Sequence, residues 1–113
     1  MSFLSQLFQS SKHEDIDGLE LNSILKNNKN VLILDVRSVG EYNSFHIPKS
    51  KNIPVHELKS RLDTLDLYKD SKIIVYCASG ARSYSASKIL SKNEFNNIYN
   101  LKGGISSYIS KKK

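Results

Sequence analysis

The residue types best suited to chemistry are concentrated in the loop that begins at the single cysteine, Cys77. The residues after Cys77 are small, so the backbone can curl tightly and direct several N–H groups at one point above the sulfur. A helix predicted after this loop would direct the positive end of its dipole at the same place. N–H groups and cations stabilise a thiolate, so the pattern indicates a reactive, anionic sulfur and a cradle for a bound oxyanion. The residues assigned to this cradle are Ala78, Ser79, Gly80, Ala81, Arg82 and Ser83.

Two residues at the end of the loop carry side chains that can contribute directly. Arg82 can grip the anion with two hydrogen bonds, or it can hold the loop by donating to its carbonyl groups. Ser83 can cap the helix or donate a hydrogen bond to the sulfur. The alternative is that Cys77 is an inert residue at a strand end, since free cysteine is among the most buried residue types. The position of the small-residue loop between a strand and a helix favours the reactive thiol.

A second group of polar residues follows another apolar run. Asp35 stands at the carboxyl end of that run, where catalytic groups gather in α/β proteins, and in principle it could be an acid or a base. Ser38 precedes Glu41 by three residues, a capping-box spacing that predicts a short helix beginning at Ser38.

The three histidines have no metal-ligand spacing, and a single cysteine argues further against a zinc site, so we predict no metal. We interpret His46 as a packed, hydrogen-bonded residue. We expect His13 and His56 to face solvent.

The hydrophobic pattern predicts the elements that position these residues. Continuous apolar runs rich in β-branched residues are typical of parallel strands that are covered on both faces. Such runs occur at Val31 to Asp35, at Lys72 to Cys77 and, more weakly, at Asn97 to Leu101, with a short candidate at Asn52 and Ile53. Helical spacing occurs at Leu21, Ile24 and Leu25, at Val55, Leu58 and Leu62 after Pro54, at Ala86, Ile89 and Leu90, and at Ile105, Tyr108 and Ile109 after Gly103 and Gly104. The alternation predicts an α/β fold with a mainly parallel sheet flanked by helices on both faces.

Length and composition fit one globular domain, with 39% hydrophobic and 25% charged residues among 113. We assign residues 1–14 to an N-terminal extension, 15–110 to the domain and 111–113 to a basic tail. The helical spacing of Phe3, Leu4, Leu7 and Phe8 in the extension would allow a short helix for docking or for a membrane surface, although a frayed end is favoured.

The charge balance and the cysteine count narrow the class of protein. The 17 basic residues outnumber the 11 acidic ones, for a net charge of +6. Because the excess is scattered, it favours solubility and attraction of small anions over nucleic acid binding. A lone cysteine excludes an internal disulfide, and neither an export signal nor a membrane-spanning run is recognisable, so we predict a cytoplasmic protein without a membrane span.

Three motifs together resemble the rhodanese-like sulfurtransferases in their single-domain form. The segment "LDVRSVGEYNSFHIPKSKNIP" from Leu34 to Pro54 is similar to the family's Asp-Val-Arg, Glu-Phe/Tyr, His-Ile and Asn-Ile-Pro pattern. "CASGARS" resembles its active-site loop, and "NLKGG" from Asn100 to Gly104 resembles its late Leu-x-Gly-Gly. The resemblance covers about Ile16 to Tyr108. It departs from the family at Phe45, Lys49 and Ser50, where glycine, glycine and alanine respectively are common, and Tyr108 stands near a frequent family tryptophan.

The resemblance implies sulfur transfer through a persulfide on Cys77. The donor would be thiosulfate or a related small sulfur anion, and the acceptor a thiol, cyanide or a sulfur-relay protein, with no metal or organic cofactor. The resemblance also implies that Asp35 and Arg37 brace neighbouring loops through charge-assisted hydrogen bonds, a structural role that we favour over catalysis.

Three other functions would fit parts of this sequence. A cysteine phosphatase of related fold needs five residues between cysteine and arginine to surround phosphate, and this chain has only the four from Ala78 to Ala81. A persulfide carrier or interaction module would keep Cys77 but turn over little thiosulfate. Nucleic acid binding through the lysines would depend strongly on salt and survive the loss of Cys77.

Overall fold

The structure is a computed structural model that describes residues 13–27 and 30–112. Five parallel strands form one sheet in the spatial order β1-β5-β4-β2-β3. The strands are β1 (His13–Ile16), β2 (Val31–Asp35), β3 (Lys51–Asn52), β4 (Lys72–Tyr76) and β5 (Asn97–Leu101). The helices are α1 (Gly18–Asn27), α2 (Val39–Ser44), α3 (Val55–Leu58), α4 (Ala81–Lys92) and α5 (Gly104–Lys112), and a 3₁₀ segment (Lys59–Tyr68) follows α3. The predicted α/β fold with a parallel sheet is confirmed.

The central strands are the two apolar runs that sequence pattern identified. In both β2 and β4 the last four residues are buried, as expected for strands with a helix layer on each face. β2 and β4 pair in register from Val31 opposite Lys72 to Asp35 opposite Tyr76. Their carboxyl ends therefore meet at one edge of the sheet, where Asp35 lies beside the start of the cysteine loop.

Hydrophobic clusters cover both faces of the sheet, which explains the apolar runs. On one face, Leu34, Val75 and Ile98 pack with α3, the 3₁₀ segment and α4. On the other face, Ile33 and Ile74 pack with residues from α1 and α5. Tyr108, which the resemblance places near a frequent family tryptophan, is 5% exposed and belongs to this second cluster.

The capping box at α2 is confirmed. The Glu41 N–H donates to Oγ of Ser38 at 3.2 Å, and the Ser38 N–H donates to Oε1 of Glu41 at 3.1 Å. The helix expected after Pro54 forms only from Val55 to Leu58. It then continues as 3₁₀ turns with a kink at Arg61, whose φ is −118°.

One strand was not predicted from the sequence. β1 reads His-Glu-Asp-Ile, and only Ile16 among its four residues is buried, so it carries no apolar run. It forms an edge of the sheet by pairing with β5, and it starts inside the segment assigned to the N-terminal extension. The proposed docking helix at Phe3, Leu4, Leu7 and Phe8 lies outside the described residues.

Within the part of the chain that the structure describes, no helix is both long and apolar enough to cross a bilayer.

Candidate active site

Cys77 lies directly after β4, at the carboxyl edge of the sheet, and is 1% exposed. Its sulfur receives the N–H of Gly80, with 3.0 Å between the nitrogen and Sγ. Gly80 has a φ of +120°, which a residue with a side chain rarely adopts, so glycine is needed for the loop to turn its amide inward. α4 begins at the next residue, Ala81, and its N-terminus therefore lies beside the sulfur.

Two opposing effects determine the charge on this sulfur. Burial by itself raises the pKa of the Cys77 thiol. Hydrogen bonds from the Ser83 hydroxyl and from backbone N–H groups outweigh burial, so the pKa lies below its ordinary value. These N–H groups belong to Ser83, Gly80 and Ser79. The thiolate that the sequence pattern indicated is therefore easier to form here than at an ordinary cysteine.

Backbone contacts with the first two residues of α5 hold the loop in place. The Ile105 N–H donates to the Cys77 carbonyl at 2.9 Å. Gly104 has a φ of +64°, and a Cβ at this position would lie 2.3 Å from the Ala78 carbonyl oxygen. Only glycine permits this close approach, which gives a physical reason for glycine in the motif near Leu101. The outer face of the loop is open, since Ser79 and Ala81 are exposed.

Arg82 makes a contact that was not expected from the sequence. Its Nη1 donates to Oε1 of Glu41 at 2.7 Å and its Nη2 to Oε2 at 3.0 Å. The Arg82 hydrogen bonds and capping by Ser38 lower the pKa of Glu41 to about 2. Glu41 thus has two roles, because it completes the cap of α2 and also joins α2 to the first turn of α4.

Asp35 and Arg37 form a second pair beside the loop. The Arg37 guanidinium donates to both carboxylate oxygens of Asp35, with a shortest contact of 2.7 Å from Nη2 to Oδ2. Nη2 also donates to the Phe45 carbonyl at 2.6 Å, and the Asn52 amide donates to the carbonyls of both Asp35 and Arg37 at 3.0 Å. Arg37 thus holds the Asp35 carboxylate, and Asn52 holds the backbone carbonyls of both residues, an arrangement suited to bracing loops.

The three histidines differ from one another in their surroundings. The expectation that His13 faces solvent is wrong, because its side chain is only 7% exposed. Its ring packs edge-on against the Tyr84 ring, with 5.2 Å between the ring centroids. His56 is 78% exposed, as predicted. His46 stacks on Tyr42 and pairs through Nδ1 with the Tyr42 carbonyl at 2.8 Å, which confirms the expectation of a packed residue.

Sequence reasoning missed Asn100 and Asp15. Asn100 is 5% exposed, and its Oδ1 accepts a short hydrogen bond from Oγ of Ser83. Its Nδ2 donates to Oδ1 of Asp15 at 3.1 Å. Asn100 lies just before the Leu-x-Gly-Gly motif, and a polar residue among the apolar positions of β5 was the one signal that pointed to it.

A cavity of about 590 Å³ opens on the other side of β2 and does not include the cysteine loop. Its lining is mostly apolar and consists of Leu25, Val31, Ile33, Ile47, Pro48, Lys49 and Tyr108. Since no residue of the loop contributes to it, this cavity gives no support for a substrate site at Cys77.

Comparison with known proteins identifies the family and several relatives of this chain. Residues 19–111 match the Rhodanese-like domain family. A sulfurtransferase of Allochromatium vinosum is 34% identical over 91 residues, which cover 80% of this chain and 83% of the relative. A rhodanese-related protein from Thermoplasma volcanium has a crystal structure that matches with a TM-score of 0.77 and 35% identity, covering 87% of this chain and 92% of that one.

Larger proteins contain the same domain. A tRNA uridine(34) hydroxylase of Buchnera aphidicola is 36% identical over 98 residues, or 83% of this chain. The match spans only 31% of that relative's length. The family match over most of the chain and the similar fold of the Thermoplasma protein show that the chain belongs to the rhodanese-like domain family, and a sulfurtransferase is among its relatives.

Proposed function

We propose that this protein is a sulfurtransferase that moves a sulfane sulfur through a persulfide on Cys77, with thiosulfate or a related anion as the donor. The observation that carries the proposal is the 3.0 Å hydrogen bond from the Gly80 N–H to Sγ, at the start of a helix. This contact lowers the energy of a thiolate and, later, of a persulfide anion. The sulfurtransferase relative that matches most of the chain supports the same reaction class.

The first half-reaction needs no oxidant. The Cys77 thiolate attacks the outer sulfur of thiosulfate, and a new S–S bond forms. The bond between that sulfur and the sulfonate breaks, and sulfite leaves with the electron pair. The product on the protein is the Cys77 persulfide anion. The loop N–H groups stabilise its charge as they did that of the thiolate.

The second half-reaction restores the thiolate. A nucleophile such as cyanide or a thiolate attacks the outer sulfur of the persulfide, and Cys77 leaves with the electron pair of the S–S bond. In this scheme the backbone from Ala78 to Ser83 binds the anions. Asp35 and Arg37 act as structural support for the loop. Arg82 supports the loop through Glu41 and adds positive charge near the sulfur.

A persulfide carrier that serves a partner protein is the second candidate, and two observations favour it. Cys77 is 1% exposed, and the Arg82 guanidinium that would grip a small anion is already bound to Glu41. A carrier would form the same persulfide but would receive its sulfur faster from a thiol-bound sulfane donor than from thiosulfate.

The test is intact-mass analysis after incubation with thiosulfate or with glutathione persulfide. Because Cys77 is the single cysteine, Cys77→Ser is a complete control. The wild type is expected to gain one sulfur, about 32 daltons, and to lose it as thiocyanate when cyanide is added, while Cys77→Ser gains nothing. Loading only by glutathione persulfide would identify the carrier. Absence of a mass gain with both donors would reject a persulfide at Cys77.

A further inference from the structure

A hydrogen-bond chain leads from β1 through β5 to the sulfur of Cys77. Nδ2 of Asn100 donates to Oδ1 of Asp15 at 3.1 Å, and Oδ1 of Asn100 accepts from Oγ of Ser83. Oγ of Ser83 in turn lies 3.5 Å from Sγ of Cys77, with the S–H group placed to donate. Cys77, Ser83 and Asn100 are all at most 5% exposed, whereas Asp15 is at the surface.

Asp15, at the exposed end of this series of hydrogen bonds, determines which atom donates and which accepts in each of them. Asp15 and Asn100 are directly paired residues of the parallel strands β1 and β5. An amide side chain can turn either its oxygen or its nitrogen toward a neighbour, but a carboxylate only accepts hydrogen bonds. Asp15 therefore draws Nδ2 of Asn100 toward itself and leaves Oδ1 facing Ser83.

The Ser83 hydroxyl has one proton and three acceptors within reach. These acceptors are Oδ1 of Asn100, the Gly80 carbonyl at 3.1 Å and Sγ of Cys77 at 3.5 Å. The contact with Asn100 is the shortest of the three. When Ser83 donates to Asn100, it turns a lone pair toward Sγ, which suits a neutral S–H group and opposes a thiolate.

We propose that Asn100, held by Asp15, is a positioning residue that keeps the Ser83 proton away from Sγ, so that resting Cys77 stays a thiol to a higher pH than it would if the Ser83 hydroxyl were free to donate to the sulfur. The proposal rests on the proposed function only in taking Cys77 as the reacting group. The donation from Ser83 that helps to lower the pKa of Cys77 becomes available when Ser83 releases Asn100.

The other charged groups around the loop either form ion pairs or lie at exposed positions near β1 and β5. Arg82 of α4 is paired with Glu41 of α2, and Arg37 with Asp35 at the end of β2. On the β1 side, Nε2 of His13 lies 3.8 Å from the same Oδ1 of Asp15. Glu14 of β1 and Lys102 after β5 are exposed charges on that side. None of these groups contacts the Ser83 hydroxyl, so substitutions at Asn100 test the hydroxyl itself.

The experiment measures the rate of Cys77 alkylation by iodoacetamide across pH, followed by intact mass. Asn100→Ala frees the Ser83 proton, and a thiolate accepts it better than the neutral Gly80 carbonyl does. We expect the midpoint of the rate profile to move down by about one pH unit. Asp15→Asn allows the Asn100 amide to turn and should move the midpoint down by less. Glu14→Gln removes the same charge from a neighbouring exposed residue and should leave the midpoint unchanged.

A double-mutant cycle separates positioning from a structural role. Ser83→Ala removes the hydroxyl and should move the midpoint up, and in that background Asn100→Ala should add nothing. A shift from Asn100→Ala that persists without Ser83, or an unchanged or raised midpoint in both Asn100→Ala and Asp15→Asn, would overturn the proposal. If Asn100→Ala fails to fold, Asp15→Asn at the surface decides the matter. Alkylation uses no sulfur donor, so this result is independent of whether Cys77 carries a persulfide.

Discussion

The Arg37–Asp35 and Arg82–Glu41 pairs are both two-point contacts between a guanidinium and a carboxylate, and both flank the cysteine loop. Their surroundings differ. The side chains of Arg37 and Asp35 are 7% and 0% exposed, and the donors around them include the Asn52 amide. The side chains of Arg82 and Glu41 are 38% and 36% exposed.

The comparison shows that burial, more than hydrogen-bond geometry, determines how strongly the fold depends on each ion pair. A buried pair contributes little net free energy, but removing one partner leaves a charge in a medium that cannot solvate it. An exposed pair is screened by water and salt, so its loss costs little. We therefore expect Arg37–Asp35 to be indispensable to the fold, and Arg82–Glu41 to be an adjustable contact next to the reacting sulfur.

The largest expected effect is that of Asp35→Ala. It leaves the Arg37 guanidinium buried without its partner, and the free energy of unfolding in urea should fall by about 3–5 kcal/mol. Asp63→Ala, at an exposed position, is the control and should change stability by less than about 0.5 kcal/mol. A loss below about 1 kcal/mol for Asp35→Ala would remove the proposed distinction between the two pairs.

Gly104→Ala tests whether the cysteine loop is held in place by its contact with α5 rather than by the Arg82–Glu41 pair. The new Cβ would lie 2.3 Å from the Ala78 carbonyl oxygen at a φ of +64°, so stability should fall by about 2–4 kcal/mol. Persulfide formation should slow at least about tenfold, because the displaced loop no longer aims its amides at the sulfur. Gly40→Ala, where the nearest atom is 4.0 Å away, should be neutral or slightly stabilising. Equal effects of the two substitutions would contradict the loop contact.

The smallest expected effect is that of Glu41→Gln, which keeps a capping-box residue but removes the charge. At pH 7 the free energy of unfolding should fall by about 0.2–1 kcal/mol, and less at high salt. The pKa of Glu41 is lowered to about 2 in the folded protein, below the value of about 4.3 in an unfolded chain. The contribution of its charge is therefore complete above about pH 4.3 and lost as the pH falls toward 2. Urea titrations of wild type and Glu41→Gln should converge over that window; a difference that is constant with pH would show that the charge plays no part.

Local patterns predicted the parts of the site that are contiguous in the chain. The apolar runs identified β2 and β4, and the spacing of Ser38 and Glu41 identified the cap of α2. The small residues after Cys77 correctly indicated a loop whose backbone faces the sulfur. Each of these features depends on neighbours within a few residues, where backbone sterics and nearby hydrogen bonds dominate.

What the sequence by itself determined is the α/β alternation and the chemical type of its loop, because hydrophobic periodicity and turn chemistry are local. What only the tertiary structure decided is which distant side chains meet that loop. Arg82 pairs with Glu41, which lies 41 residues earlier in the sequence, and Asn100 pairs with Asp15, which lies 85 residues earlier. β1, with one buried residue of four, becomes a strand only because β5 offers an open edge, and this pairing also buries His13. The order of strands in the sheet sets these contacts, and it results from the packing of the whole chain, which no short stretch of sequence encodes.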